Sequence, residues 1–134
     1  MAGTTPAFLA AQIAAAMMHG TAYQAPATVY AALTVADSSD ATAGTECSDA
    51  TYARQPVTPA SLFSRTGGVD TTILDILWPG ATAAYTVHAV EFYDSLLSSG
   101  SNNRVLPYIP ISSVVVPINE QFKLPAGSGS ITVS

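Results

Sequence analysis

Residues 29–57 read VYAALTVADSSDATAGTECSDATYARQPV. The run from Thr28 to Val35 is apolar and short, as a strand covered on its faces would be. From Ala36 to Ala50 the chain is crowded with Asp, Ser, Thr and Gly. Side chains of this kind bond to their own backbone or supply turn conformations, so the segment reads as an exposed loop. Tyr52 to Thr58 then opens a second extended run. Strand, polar loop and strand within thirty residues point to a β protein rather than a helical one.

Working outward, the same alternation of short extended runs and turn residues continues to the C-terminus. Further strands are placed at Thr71 to Trp78, Thr86 to Tyr93, Arg104 to Ile111, Val114 to Ile118, Gln121 to Leu124 and Ser130 to Ser134, with loops at Ser64 to Val69 and Ser95 to Asn103. Thr71 to Trp78 is apolar on almost both faces, which predicts a central strand. Pro107, Pro110 and Pro117 break the later strands or put them at an edge, because proline donates no ladder hydrogen bond. The expected fold is mainly β, an antiparallel β-sandwich of jelly-roll-like topology, with a small barrel as the alternative and one N-terminal α-helix.

That helix is predicted over Phe8 to Met18. Ala, the best helix former, fills its interior, Thr4 or Thr5 stands ready to cap it, Pro6 suits its first turn, and Gly20 supplies a left-handed stop. Leu9, Ile13 and Met17 recur along one face with Phe8 beside them, and Gln12 is the only strongly polar residue inside. No Lys or Arg precedes this run, as a signal peptide would require, and it is too short to span a bilayer. A helix with so little polar face needs covering, either by the end of its own sheet core or by a neighbour. Phe8, Leu9, Ile13 and Met17 are therefore the candidate subunit or shell contacts. The chain reads as one domain over residues 1–134, with an arm and helix at 1–23 and the β-sandwich at 24–134.

Composition narrows the function classes. Charged residues make up 10% of the 134 residues and hydrophobic ones 49%, with a formal net charge of −5. So few charges predict a surface largely covered in an assembly. Arg54, Arg65, Arg104 and Lys123 stand singly, which is the wrong pattern for gripping a phosphate backbone, so no nucleic-acid partner is expected. Cys47 is the only cysteine, so neither an internal disulfide nor an all-cysteine metal site can form.

Catalytic constellations are missing from the sequence. It holds no G-x-S-x-G elbow, no glycine-rich phosphate loop and no His-x-x-x-His or Cys-x-x-Cys pair. His88 and Glu91 are three apart in a strand and fall on opposite faces, so they do not act together. Asp37, Asp40, Glu46 and Asp49 offer oxygen donors for a hard cation, but their spacing follows no EF-hand pattern and a solvated acidic loop is the plainer reading. Glu46 or Asp49 is also in sequence reach of Arg54 for a bidentate ion pair, which would make Glu46, Tyr52 and Arg54 a device that fixes the loop. No catalytic residue, cofactor or metal site is predicted.

The segment from Tyr30 to Gln55 resembles small structural proteins of tailed bacteriophages. In these a Tyr-Val-Ala-Leu strand leads through Asp-Pro and Gly-Thr-Glu-Val to Tyr-Ala-Arg-Gln. Tyr30, Ala31, Ala32 and Leu33 occupy the strand, Asp37 the turn, Gly44, Thr45 and Glu46 the loop, and Tyr52, Ala53, Arg54 and Gln55 the second block. Ser38 replaces the proline and Cys47 an expected small aliphatic residue. The likeness continues through Trp78, Pro79, Ala81 to Ala83, Val87 and Phe92 to Asp94. It implies a non-enzymatic virion protein: a capsid decoration or cement protein first, a tail or tail-fibre subunit second. Its implied partners are other copies of itself, as a trimer, and the major capsid protein or other virion proteins, with no membrane. A carbohydrate-binding β-sandwich module, drawing on exposed tyrosines, is the reading from another class.

Overall fold

The computed structural model describes residues 6–23, 25–39, 42–97 and 102–132. Helix α1 spans Ala7–His19, followed by strand β1 at Val29–Thr34 and β2 at Gln55–Val57. A single-turn helix α2 at Pro59–Leu62 leads into β3 at Phe63–Thr66, β4 at Val69–Thr72 and β5 at Ile76–Leu77. Strands β6 at Tyr85–Tyr93 and β7 at Arg104–Val116 are the long ones, and β8 at Lys123–Leu124 and β9 at Ser130–Thr132 close the chain. The pairs are all antiparallel and form three sheets, in the orders β2-β1-β6-β7, β3-β4-β9 and β5-β8. The mainly-β, antiparallel class expected from the sequence is the observed one. The barrel alternative is corrected: the largest sheet is open, ending at β2 on one side and β7 on the other.

The four-stranded sheet is covered on both faces, which is why β1 and β6 are apolar and almost wholly buried. Alternation sends Ala31, Leu33, Val90 and Phe92 to one face, where they join Ile76, Leu124 and Ile131 from the two smaller sheets, and Trp78 and Phe122 beside β5 and β8, in one core. Phe63 meets Phe92 edge-on with ring centroids 5.9 Å apart, and Trp78 lies against Phe122 at 5.6 Å. The indole Nε1–H of Trp78 donates to the Ala31 carbonyl at 3.3 Å, so the buried ring has no orphaned donor. Ala32, Thr34, Ala89, Glu91 and Tyr93 point to the other face, and all five are buried.

Five of the predicted strands differ in extent, among them Gln121 to Leu124, which shortens to Lys123–Leu124. Thr71 to Trp78 is not one central strand: β4 stops at Thr72, and Ile73 and Leu74 are exposed before the chain joins another sheet as β5. The doubly covered role expected of it belongs to β1 and β6. Ser64 to Val69 is not a loop but most of the β3–β4 hairpin, whose turn residues Gly67 and Gly68 both have positive φ, as a tight primed turn needs. Arg104 to Ile111 and Val114 to Ile118 are one strand, β7. Val87 pairs with Val114 and Ala89 with Pro110, so Ile111, Ser112 and Ser113 bulge opposite His88, with Ser113 at φ 47°. Pro107 and Pro110 are tolerated there because β7 is an edge. Tyr52 to Thr58 shortens to Gln55–Val57, because Tyr52 and Arg54 use their side chains for a different purpose.

Helix α1 ends as predicted, with Gly20 at φ 64° and its N–H bonded to the Ala15 carbonyl. Pro6 occupies the N-cap and makes no side-chain cap. The expected cap residues Thr4 and Thr5 lie outside the described residues, as do Asp40 and the last two residues of the predicted Ser130 to Ser134 strand. No residue of α1 is buried.

Candidate functional site

The expected signature residues Glu46, Tyr52 and Arg54 converge over the polar face of the large sheet. The reason begins with the backbone. Strand β2 pairs with β1 only at residues 29–31, which leaves the outer edge of Leu33 to Val35 without a neighbouring strand. Residues 45–47 fill that edge: Val35 N–H donates to the Thr45 carbonyl at 2.7 Å, Cys47 N–H to the Leu33 carbonyl at 2.9 Å, and Thr34 and Glu46 form an isolated antiparallel bridge. The remaining donor, Leu33 N–H, is taken by the Tyr52 hydroxyl at 3.1 Å. That hydroxyl in turn donates to Glu46 Oε1 at 2.8 Å. One phenol thus completes the β1 edge and ties it to the loop.

Arg54 is the centre of this arrangement. Its Nε and Nη2 donate to the two Glu46 oxygens at 2.8 and 2.7 Å, and its Nη1 donates to the Ser95 carbonyl and Asn102 Oδ1 at 2.8 and 2.7 Å. The guanidinium lies 4.0 Å from the centre of the Tyr93 ring. Fork geometry against a carboxylate, two further acceptors and an aromatic face make a buried cation satisfied on every side. Tyr93 then carries the network onward, its hydroxyl donating to Glu91 Oε1 at 3.1 Å, while Arg104 Nη1 donates to Glu91 Oε2 at 3.0 Å and to the Ser39 carbonyl at 2.6 Å. Burial raises the Glu91 carboxyl above its ordinary pKa, with the nearby Arg104 acting against that rise. Sequence reasoning passed over the Glu91–Arg104 pair. The signal was there: a lone acid inside the most apolar strand, with a lone base opening the strand that follows.

Gly44 is needed at the head of this loop. A Cβ on it would stand 2.5 Å from the Ala36 carbonyl oxygen, too close for any side chain, so the loop folds back this tightly only with glycine.

The other acidic residues find separate partners. Asp49 accepts from Thr82 N–H, Thr82 Oγ1, Ala83 N–H and Thr51 Oγ1 at 2.7 to 3.1 Å, and hydrogen bonds from Thr82 hold its carboxyl well below the usual carboxylate range. Asp37 reaches His88 Nδ1 at 2.9 Å. The Asp37 to Asp49 loop thus sends its described acids to three different places. Cys47 is buried, and burial raises its thiol pKa, which keeps it protonated and a poor nucleophile. Cys47 and Ser48 line both an open hollow of about 630 Å³ with Tyr85 and His88 and a second of about 530 Å³ with Tyr52, Arg54, Leu96 and Leu97.

The four expected contact residues of α1 divide between two sides of the helix. Phe8 packs against the core and Leu9 is half-buried above Val29, Val105 and Leu106. Ile13 and Met17 face outward, 45% and 82% exposed. Among the described residues, exposed apolar side chains also stand at Ile73, Leu74, Leu96, Leu97, Val115 and Ile118.

Comparison with known families agrees with the phage resemblance. The family described as podophage GP4 fiber I protein gp80 matches residues 5–132, and the chain belongs to it, a family of tailed-phage virion structural proteins. No curated protein matches the chain.

Proposed function

We propose that this member of the fiber I family is a non-enzymatic subunit of the tail-fibre apparatus of a podophage virion. The observation that carries the reading is the family match over residues 5–132, whose description names a fibre protein. That description favours the tail over the capsid surface, reversing the order of preference drawn from the sequence alone. The chemistry of the chain supports a binding role. Among the described residues the two buried charges are each paired, Arg54 with Glu46 and Glu91 with Arg104, which suits a structural role for them. Apolar side chains stand uncovered on α1 instead.

The test is cryo-electron microscopy of purified particles carrying a small tag at the C-terminus of this chain. Added density at the tail fibres supports the assignment. Density at regular positions of the capsid lattice overturns it in favour of a decoration protein, and absence of the chain from particles removes both.

A further inference from the structure

The two hollows that meet at Cys47 and Ser48 differ in what their walls can still bind. The smaller is walled by Glu46, Tyr52 and Arg54, which are already bonded to one another. The larger, of about 630 Å³, lies where the start of β6 meets residues 47–50 and 82–84. Tyr85, Thr86 and His88 stand on its wall. Among the described residues the Tyr85 and Thr86 hydroxyls have no hydrogen-bond partner, and the His88 ring has one at Nδ1 alone. Neither hydroxyl nor His88 Nε2 is sealed from solvent.

The walls are held in place by the fold itself. Cys47 N–H donates to the Leu33 carbonyl, which fixes residues 47–50 to β1. Asp49 reaches across to accept from Thr82 N–H and Ala83 N–H, tying that segment to the one facing it. Asp37 Oδ1 lies 2.9 Å from His88 Nδ1. A carboxylate in that position takes the Nδ1 proton as donor, so the neutral imidazole offers Nε2 as an acceptor. The two hydroxyls can both donate and accept. Walls fixed in advance leave little ordering cost to a ligand.

The lining also decides the class of ligand. No Arg or Lys lines the hollow and the chain carries a net charge of −5, so phosphates and other anions are disfavoured. The lining acid, Asp49, is occupied by Thr82, Ala83 and Thr51, so a cation meets no free carboxylate on the wall. Val35, Cys47 and Ala83 supply apolar surface between the polar groups. Apolar walls with a few converging hydroxyls and one imidazole suit an uncharged, hydroxyl-rich ring. The volume falls within the roughly 300–1,000 Å³ of small-molecule sites.

We propose that this hollow binds a neutral pyranose, whose hydroxyls bond to the Tyr85 and Thr86 hydroxyls and to His88 Nε2. The site adds a ligand to the structural role of the chain and involves no turnover. It does not depend on where in the virion the chain sits.

The test is a titration of the isotope-labelled full chain, followed by the chemical shifts of its amides. The sugars are D-glucose, D-galactose and N-acetyl-D-glucosamine, their disaccharides maltose, lactose and diacetylchitobiose, and D-glucuronate as a charged counterpart. At least one neutral sugar is expected to shift the amides of residues 47–50 and 82–88, with a dissociation constant on the order of millimolar, and glucuronate to leave them in place. Tyr85→Phe and Thr86→Val are each expected to weaken that binding about threefold to tenfold, with unchanged shifts away from the hollow. A disaccharide that binds more tightly than its monosaccharide identifies a polysaccharide as the source of the ring, and equal affinities identify a free sugar. No shift with any neutral sugar, shifts centred elsewhere, equal binding of glucuronate, or affinity unchanged in both variants overturns the proposal. Because purified chains answer this question, failure here leaves the virion assignment to be judged by particle microscopy alone.

Discussion

Arg54 and Glu46 hold the loop onto the large sheet through a pair in which the Arg54 side chain is 2% exposed. Removing one member leaves the other's charge without its partner. Arg54→Met is expected to lower stability by about 3–5 kcal/mol, and Glu46→Gln with Arg54→Met by much less than the sum of the two single changes. Urea denaturation of the four proteins of this cycle measures the coupling, and strict additivity would show that the pair is ornamental. Tyr52→Phe removes a hydroxyl that both accepts from Leu33 N–H and donates to Glu46, and is expected to cost about 1–3 kcal/mol by the same measurement. Asp49 acts through pH. Its folded-state pKa is depressed, so its contribution is fully present above the ordinary value of 3.8 and is lost as pH falls below it. Wild type and Asp49→Asn should therefore differ at neutral pH and converge in acid. Urea midpoints that stay equally far apart at both ends would contradict this. Glu91 works in the opposite sense: its raised pKa makes the native state hold a proton more tightly, which lowers its share of stability as pH climbs through the window above 4.5. Much at this scale was legible. Tyr52 and Arg54, two apart in an extended segment, fall on one side, and an acid close behind them in the loop is a natural partner. Whether Glu46 or Asp49 takes that part was not legible, since both lie within reach; the bridge between Glu46 and Thr34 decides it by fixing Glu46 over the sheet.

Helix α1 was readable as an element because its signals are local: alanine propensity, a glycine stop and an apolar circumference. Its orientation was not readable, since a helix apolar almost all round gives no stripe from which to choose the inner side. The structure turns Gln12 inward and Ile13 outward. Deleting residues 1–20 is therefore expected to leave a folded β domain, less stable by about 1–2 kcal/mol for the lost partial burial of Phe8 and Leu9. A molten or aggregated product by circular dichroism would place the helix in the domain's own core instead. Strand limits show the same division. Tight turns such as Gly67-Gly68 are local events, and the hairpin there was open to reading from that pair. The split of Thr71 to Trp78 between two sheets was not, because it follows from contacts such as Thr72 N–H to the Gly129 carbonyl and Ile73 N–H to the Leu62 carbonyl.

At the scale of the molecule, one hydrophobic cluster joins residues of all three sheets, from Val29 to Ile131. Shared burial of this kind makes the sheets depend on each other. A single cooperative unfolding transition is expected, with equal calorimetric and van't Hoff enthalpies. Two separated transitions would mean that the four-stranded sheet stands without its covering layers. Composition, the change from helical to strand periodicity after Gly20 and the Tyr-Ala-Arg-Gln block were enough to assign an antiparallel, mainly-β phage structural protein with one apolar helix. Each of these is a property of neighbours along the chain or of the whole chain's content. The tertiary structure alone decided that β1 and β6 form the doubly covered centre, that Glu91 and Arg104 meet beneath the loop, and that α1 turns Ile13 and Met17 outward. Those outcomes depend on which distant segments come into contact, and the free energy of burial that selects among them belongs to surfaces formed only when the chain is folded.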